Sequence, residues 1–384
     1  MKKKIIFVTQ ALWIGGIETA LTNLLRQMDY EKYDVTLLIL RKHLHLADRL
    51  PKACRLLVAD REQEGYRYLR LFRLTEEATN PSFLHRMFMW LVPGIRWVEN
   101  RLFIRYVRRL LGQERFDTAV IYSDVTAETV VRAVRAEKYL LFYHHGAMRK
   151  VYHDTIGYRK SEKIITVSQG QREMLKAFRP EYAEKITTIH NVTDVEAIQK
   201  KAMAFPVVFD PDAVHILSCG RLHEAKGMDL AVEACGRLVE MGHTNIRWHI
   251  IGGGPEEQTI REKIAALGVG DYVNLMGMQE NPYPYIGAAD LYVQPSRFEA
   301  YPMTVLEALI LGKPVISTDN AGAREILTPG ENGILCGISA EDIANAVADL
   351  LEHPEKKRQL EETVGAMDLE RGNRNIITQL EALF

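Results

Sequence analysis

Short apolar runs that each end in a loop and lead into a helical period recur along the whole chain, and no other feature constrains the fold as tightly. Residues 5 to 8 are such a run, followed by Gly15-Gly16 and then by Leu21, Leu24, Leu25 and Met28 at helical spacing; residues 34 to 40 form the next run. Unbroken apolar runs of this length suit strands buried on both faces, and a strand-helix-strand order makes neighbouring strands parallel. Further runs at 119 to 122, 139 to 143, 163 to 167 and 186 to 190 continue the pattern. In sheets of this kind ligands gather at the carboxyl ends of the strands.

The pattern pauses between about 193 and 212, where Pro206 and Pro211 interrupt a stretch with no clean β period, and then restarts. Strands are expected at 215 to 219, 246 to 251, 273 to 276, 291 to 293 and 315 to 317. Helices are expected over about 228 to 241, over 285 to 289 and from Ser339, where Asp342 makes a near capping box. With 384 residues the chain exceeds one typical domain. The expected architecture is therefore α/β, with two domains each built on a parallel sheet. They divide as 1 to 195 and 196 to 370, and a closing helix at 371 to 384 packs back toward the first domain.

A net charge of −1 conceals two unlike halves. Residues 1 to 195 carry 33 Lys and Arg against 22 Asp and Glu, whereas the remainder carries 16 against 28. Residues 61 to 115 hold eleven Arg, no Lys and six Glu, interleaved with aromatic residues. Phe83, Met87, Trp90, Leu91, Trp97, Leu102, Phe103 and Val107 supply apolar helical faces, with Arg96, Arg101, Arg105, Arg108 and Arg109 around them. Such a segment either lies in an anionic lipid headgroup layer or packs on the core with a solvated basic face. No nucleic-acid motif accompanies the charge, so nucleic acid is not an expected partner. Four scattered cysteines and no His cluster at metal spacing argue against a disulfide framework or structural zinc, and for a reducing compartment. Lys2-Lys3-Lys4 imitates a signal peptide, but the apolar run after it stops at Thr9-Gln10. The protein is expected in the cytoplasm or peripherally on the cytosolic face of a membrane.

Candidate site residues concentrate in the second half. After the run 291 to 293 comes Arg297-Phe298-Glu299-Ala300-Tyr301-Pro302-Met303-Thr304-Val305-Leu306-Glu307. Pro302 sits where a first helical turn tolerates it, and Gly312 with Pro314 marks the helix end. Glu299 then lies in the loop and Glu307 in the helix, both expected to face one crevice beside free helical N–H groups. Arg221 and Lys226, flanked by Gly220 and Gly227 after the strand at 215 to 219, form a cationic loop suited to a diphosphate. Gly252-Gly253-Gly254 follows the next strand. His144-His145-Gly146 ends the strand at 139 to 143. Gly15-Gly16 is either a tight turn or a close approach to a ligand, and it is not a dinucleotide fingerprint. Asp210-Pro211-Asp212 precedes a strand rather than ending one and is not read as a metal site.

Gly-Arg-Leu at 220 to 222 with Lys226-Gly227, the glycine loop at 252 to 254, Glu299-x7-Glu307 and Gly15-Gly16-Ile17-Glu18 together resemble the retaining glycosyltransferases of family 4, with the GT-B fold, of the kind that act in bacterial polysaccharide synthesis. The resemblance covers essentially the whole chain and implies an α/β fold of two Rossmann-like domains facing a central cleft. It implies a nucleoside-diphosphate sugar as donor, UDP-linked, with no further cofactor and no metal, and a glycan or lipid-linked acceptor. Arg221 and Lys226 would bind the diphosphate, Glu299 the sugar hydroxyls, and Glu307 the ribose. Gly15, Gly16, Gly220 and Gly253 would let backbone approach the donor, and the amides of Ala300, Tyr301, Pro302, Met303 and Thr304 would line its phosphates, allowing that Pro302 has no N–H. Met278 would lie by the base, and His144 or His145 would reach the transferred sugar. It further implies a front-face mechanism with retained anomeric configuration. Two other readings stay open: a non-catalytic sugar-nucleotide-binding scaffold and a sugar-nucleotide epimerase of similar fold.

Overall fold

In the computed structural model, residues 2–13, 15–60, 83–144 and 155–384 are described, the side chains of 83–96 and of 155 excepted. Two sheets organise them. The first contains β1 (Lys3–Thr9), β2 (Tyr33–Ile39), β3 (Arg55–Val58), β4 (Phe116–Ile121), β5 (Ala136–Tyr143), β6 (Lys163–Thr166) and β7 (Ile186–Thr188), in the order β3-β2-β1-β4-β5-β6-β7. The second contains β8 (Val214–Cys219), β9 (Ile246–Ile251), β10 (Val273–Gly277), β11 (Leu291–Gln294), β12 (Val315–Thr318) and β13 (Ile334–Cys336), in the order β10-β9-β8-β11-β12-β13. The pairings within each sheet are parallel.

Both faces of each strand are apolar because both are covered. In β1, Ile5 and Phe7 join one core with Leu21, Leu24 and Leu25 of the helix Gly16–Gln27. Ile6 and Val8 point the other way, into a core with Phe103, Ile104 and Val107 of the helix Phe83–Leu111. The second sheet repeats the scheme: Ile216 and Trp248 face one core and Leu217 and Ile251 the other. Strand order reverses between β1 and β4 and again between β8 and β11. A crevice opens at the carboxyl ends of the strands at such a reversal.

Several elements depart from the sequence reading. The stretch between the sheets contains a helix, Val195–Ala202, capped by Asp194, whose side chain accepts from the Ala197 amide at 2.9 Å. Strands β3 and β13 and the helix Pro354–Gly365 were not anticipated: both strands are short and only partly buried, so they carry no strong apolar run. In the long helix, Phe103 and Val107 are buried as an apolar face should be. Trp97 and Leu102, expected on such a face, instead stand in solvent at 57% and 43% exposure. The Ser339 cap is present, its hydroxyl accepting from the Asp342 amide at 3.0 Å.

The chain crosses back at its end. Leu380 and Phe384, at the close of the helix Leu369–Glu381, lie in the core of the first sheet. The Phe384 ring packs edge-on to Phe7 at 6.2 Å and near Tyr33 at 5.5 Å. Each such side chain contributes about 1.5–3 kcal/mol on burial. Asn373 fixes the approach by donating to the Thr193 carbonyl at 2.6 Å and accepting from the Thr193 amide at 3.1 Å.

Candidate active site

The reversal between β8 and β11 brings two loops together. The β8 loop carries Gly220, Arg221 and Lys226, and the β11 loop carries Ser296 to Glu299. Two glycines make the approach possible. Gly227 has φ +62° and a Cβ there would meet the Pro295 carbonyl oxygen at 2.0 Å; Gly252 has φ +151° and its Cβ would meet the Gly220 oxygen at 1.8 Å. The Gly252 to Gly254 loop therefore lies under the cationic loop, with the Gly253 carbonyl accepting from the Leu222 amide at 3.0 Å.

A cleft of about 1100 Å³ lies between the two sheets. From the second sheet's side it is lined by Gly220, Arg221, Lys226, Glu299, Ala300, Tyr301, Pro302, Met303 and Thr304, and from the first by Gly15, Gly16 and His144. Twelve of the sequence-derived candidates thus share one cavity. Three others do not line it: Gly253 lies beneath the cationic loop, and Met278 is 73% exposed beside Gly253. The third is Glu307, 7% exposed on the inner side of its helix, where Oε1 accepts from the Tyr283 hydroxyl at 3.1 Å. The two carboxylates therefore do not face one crevice in this structure. A spacing of eight residues from loop into helix does not fix which side of the helix the second one occupies. His145 lies outside the described residues.

Inside the cleft the charges are already engaged. Lys226 Nζ donates to both oxygens of Glu299, at 2.7 and 2.8 Å. Glu299 Oε1 also accepts from the Ser296 hydroxyl at 2.8 Å. An ammonium has three protons, so Lys226, whose side chain is 31% exposed, keeps one for an anion. Arg221 is exposed at the mouth. Arg297 is committed elsewhere: its guanidinium forks onto Asp229 at 2.7 Å twice and fastens the β11 loop to the helix Met228–Glu240.

Two uncapped helix starts face the space. The helix Met303–Ile310 begins after Pro302, which has no side-chain acceptor, and its first bond runs from the Val305 amide to the Pro302 oxygen. The amides of Met303 and Thr304 precede that bond, and amides at a helix start suit an anion. The helix Gly16–Gln27 likewise starts from Gly15 with no side-chain cap.

Beside Glu18 of the Gly15-Gly16-Ile17-Glu18 motif, the cleft gathers residues given no role from the sequence: Trp13, Val167 and Asn191 on the first sheet's side, His223 and Glu224 on the other. Burial raises the Glu18 carboxyl above its ordinary value, and a bond from its own amide partly opposes this. His144 packs against the Tyr122 ring at 4.7 Å and the Phe142 ring at 5.6 Å. Glu18 had a signal, its place just after Gly15-Gly16-Ile17, and His223 and Glu224 lie within the cationic loop between Arg221 and Lys226; Trp13, Val167 and Asn191 come from separate loops that meet only in the fold.

Contacts across the cleft hold its walls together. Ala300 and Tyr301 pack on the first sheet's core, and the Tyr301 ring lies 5.1 Å from that of His190. Glu325 accepts from the Gly170 amide at 3.1 Å and lies 3.3 Å from His190 Nε2. Burial lowers the His190 pKa, with Glu325 pulling the other way.

Comparison with known proteins agrees with this architecture. The profile described as Glycosyltransferase Family 4 matches residues 14–197, and the profile described as Glycosyl transferases group 1 matches residues 199–365. A lipopolysaccharide core biosynthesis glycosyltransferase of Rhizobium meliloti is 26% identical over 58% of this chain and 61% of its own length. The N-acetylgalactosamine-N,N'-diacetylbacillosaminyl-diphospho-undecaprenol 4-alpha-N-acetylgalactosaminyltransferase of Campylobacter jejuni is 30% identical over 48% of this chain and 49% of its own. The chain thus spans less than two thirds of either relative. Among solved structures, the Anabaena protein HepE in complex with UDP and glucose superposes with a TM-score of 0.70 at 17% identity, over 99% of both chains. At that identity it is the fold that is shared.

Proposed function

The chain belongs to the glycosyltransferases of family 4 type with the GT-B fold, and from that premise we propose that it moves a hexose or N-acetylhexosamine from a UDP-sugar to a glycan or lipid-linked acceptor in cell-surface polysaccharide synthesis, with retention of anomeric configuration. One observation carries the reading: Lys226, Arg221, Glu299 and the uncapped start of the helix Met303–Ile310 converge at one end of one sheet, in a cleft whose opposite wall holds Gly15, Gly16 and His144. The named activities of the Rhizobium and Campylobacter relatives and the UDP and glucose of the Anabaena complex support the substrate class.

In this reading the diphosphate sits on the amides of Met303 and Thr304 with Arg221 and the remaining proton of Lys226 on its oxygens. As the bond between the anomeric carbon and the phosphate oxygen breaks, negative charge grows on the phosphate, where two cations and a helix start stabilise it more than in the ground state. The acceptor oxygen forms its bond to the anomeric carbon from the same face, and its proton passes to the departing phosphate. Glu299 takes the sugar hydroxyls and holds Lys226 in place. Glu307, behind the cleft wall, meets the ribose hydroxyls where these take the place of the Tyr283 bond to its carboxylate. The acceptor would be met at an anionic membrane surface through the basic long helix. Arg221 and Lys226 do the work that a divalent ion does in other transferases.

A thermal-shift series with UDP-, GDP- and ADP-sugars tests the donor site, because a ligand bound only by the folded state raises its melting temperature by mass action. The UDP-sugar is expected to give the largest shift, with slow donor hydrolysis that Lys226→Ala abolishes. Binding without turnover would favour a scaffold, release of an altered sugar nucleotide an epimerase, and no shift with any of the three would end the donor-site assignment.

A further inference from the structure

Gln294 closes β11, and its side chain is wholly buried. A primary amide has two donors and two acceptor lone pairs, and leaving any of them unmet in a dry interior is costly. All four are met here. Oε1 accepts from the Tyr292 hydroxyl at 2.8 Å and from the Thr304 hydroxyl at 2.9 Å. Nε2 donates to the Ser296 hydroxyl at 2.7 Å and to Glu299 Oε1 at 3.3 Å. The orientation of the amide follows from its partners: a carboxylate only accepts, and Ser296 already gives its own proton to Glu299.

These partners belong to different parts of the cleft. Thr304 is the second residue of the helix Met303–Ile310, whose first amides point at the proposed phosphate site. Glu299 holds Lys226 and faces the proposed sugar site. The Tyr292 hydroxyl also lies 3.3 Å from the Cys219 carbonyl, immediately before the Gly220-Arg221 loop. Gln294 thus bonds directly to both Glu299 and Thr304.

We propose that Gln294 is a positioning residue for the transfer reaction: its buried amide fixes Glu299 relative to the helix start at Thr304, so that the sugar and the diphosphate of one donor are held in a single register. The proposal rests on the donor reading above. Gln294 itself touches no substrate. An apolar residue of similar length would fill the same space but leave Glu299 with only Ser296 and Lys226, free to rotate against the helix. A misplacement of about 1 Å at a reacting centre costs on the order of 10²-fold in rate.

UDP and UDP-glucose are the probes. The wild type is expected to bind both, with UDP-glucose hydrolysed slowly. Gln294→Met should bind UDP within about threefold of wild type, since the phosphate contacts of the Met303 and Thr304 amides and of Arg221 do not run through Glu299 and only that of Lys226 does, yet hydrolyse UDP-glucose on the order of 10²-fold more slowly at saturation. Thr304→Val, which removes one link and keeps the shape, should show the same split in milder form, and Thr304→Ser, which keeps the hydroxyl, should restore it. Equal loss of UDP affinity and turnover in both Gln294→Met and Thr304→Val would mean a merely structural role and overturn the proposal. So would wild-type turnover in Gln294→Met. If Gln294→Met does not fold, the Val and Ser pair at 304 decides. Failure of the wild type to bind UDP would instead strike the donor reading and is seen before any variant is made.

Discussion

Glu307 is a carboxylate that the fold discourages from ionising. Burial among apolar neighbours pushes its pKa up to about 7, and the Tyr283 hydroxyl, Arg49 and Lys201 only partly oppose this. The sign follows directly. Between its ordinary value of 4.5 and about 7 the folded protein holds a proton that the unfolded chain has released, so this group favours the fold less as pH rises through that window. Ribose hydroxyls that donate to Glu307 would favour its ionised form, and binding would then release the proton. Affinity for a UDP-sugar is accordingly expected to tighten as pH rises from 5.5 to 7 and to level off above, while Glu307→Gln binds more weakly with no such slope. Calorimetric titrations across that range check it, and a flat wild-type profile would remove Glu307 from the ribose. At this scale the sequence revealed residue types better than their surroundings. Lys226 and Glu299 were legible as charges on two loops, but their mutual ion pair was not, because it depends on β8 and β11 being neighbours across more than seventy residues of chain. Gln294 gave no signal at all, since a lone amide at a strand end looks like any other until Thr304 and Glu299 are seen around it.

The long helix Phe83–Leu111 shows how an element can satisfy two environments at once. Phe103, Ile104, Val107 and Leu111 are buried against the first sheet, while Trp97, Val98 and Leu102 are exposed beside Arg101, Arg105 and Arg109. The Arg101 guanidinium lies 4.0 Å over the Trp97 ring. Arg108 is tied down, donating to the Arg132 carbonyl. An indole and arginines on one exposed face suit the boundary between headgroups and acyl chains, with each cation near an anionic surface contributing about 1 kcal/mol. Among the described residues no helix is long and apolar enough to cross a membrane. Vesicles containing anionic lipid should sediment the protein at low salt and release it at high salt, and replacing Arg101, Arg105 and Arg109 by Glu should abolish the effect. Equal recovery on neutral vesicles would refute the membrane contact. The elements legible from sequence were those buried on both faces, such as β9, whose bounds of 246 and 251 were anticipated. Strands β3 and β13 were not, because Arg55–Val58 and Ile334–Cys336 are short and keep part of their surface wet; the other two edge strands, β7 and β10, were anticipated from the runs at 186 to 190 and 273 to 276.

At the scale of the whole molecule, two connections join the sheets: the crossing from Thr193 through the helix Val195–Ala202, and the return through the helix Leu369–Glu381. Asn373 and Thr193 bond the two where they meet. Closure of the cleft is supported by Tyr301, which packs toward both cores, and by Glu325 on the Gly170 amide. Since Phe384 is 4% exposed between Phe7 and Tyr33, Phe384→Ala is expected to lower stability by about 3 kcal/mol, as for other buried Phe truncations. Chemical denaturation should register that loss while the folded fraction still responds to a UDP-sugar. A change below about 1 kcal/mol would show that the return helix is dispensable to the first core.

That return has a consequence for the order in which the protein can be assembled as it is made. Ile5 and Phe7 leave the ribosome long before Leu380 and Phe384, yet they belong to one core. The second sheet draws its buried cores from Ile198 to Val364, with Met367 and Leu369 at their margin, and so has nearly all of its parts before the rest of the helix Leu369–Glu381 emerges. During synthesis the first unit must therefore wait, with an unfilled apolar hollow beside Phe7 and Tyr33, until the second has passed. The first sheet is thus completed after the second, although its strands are made before it.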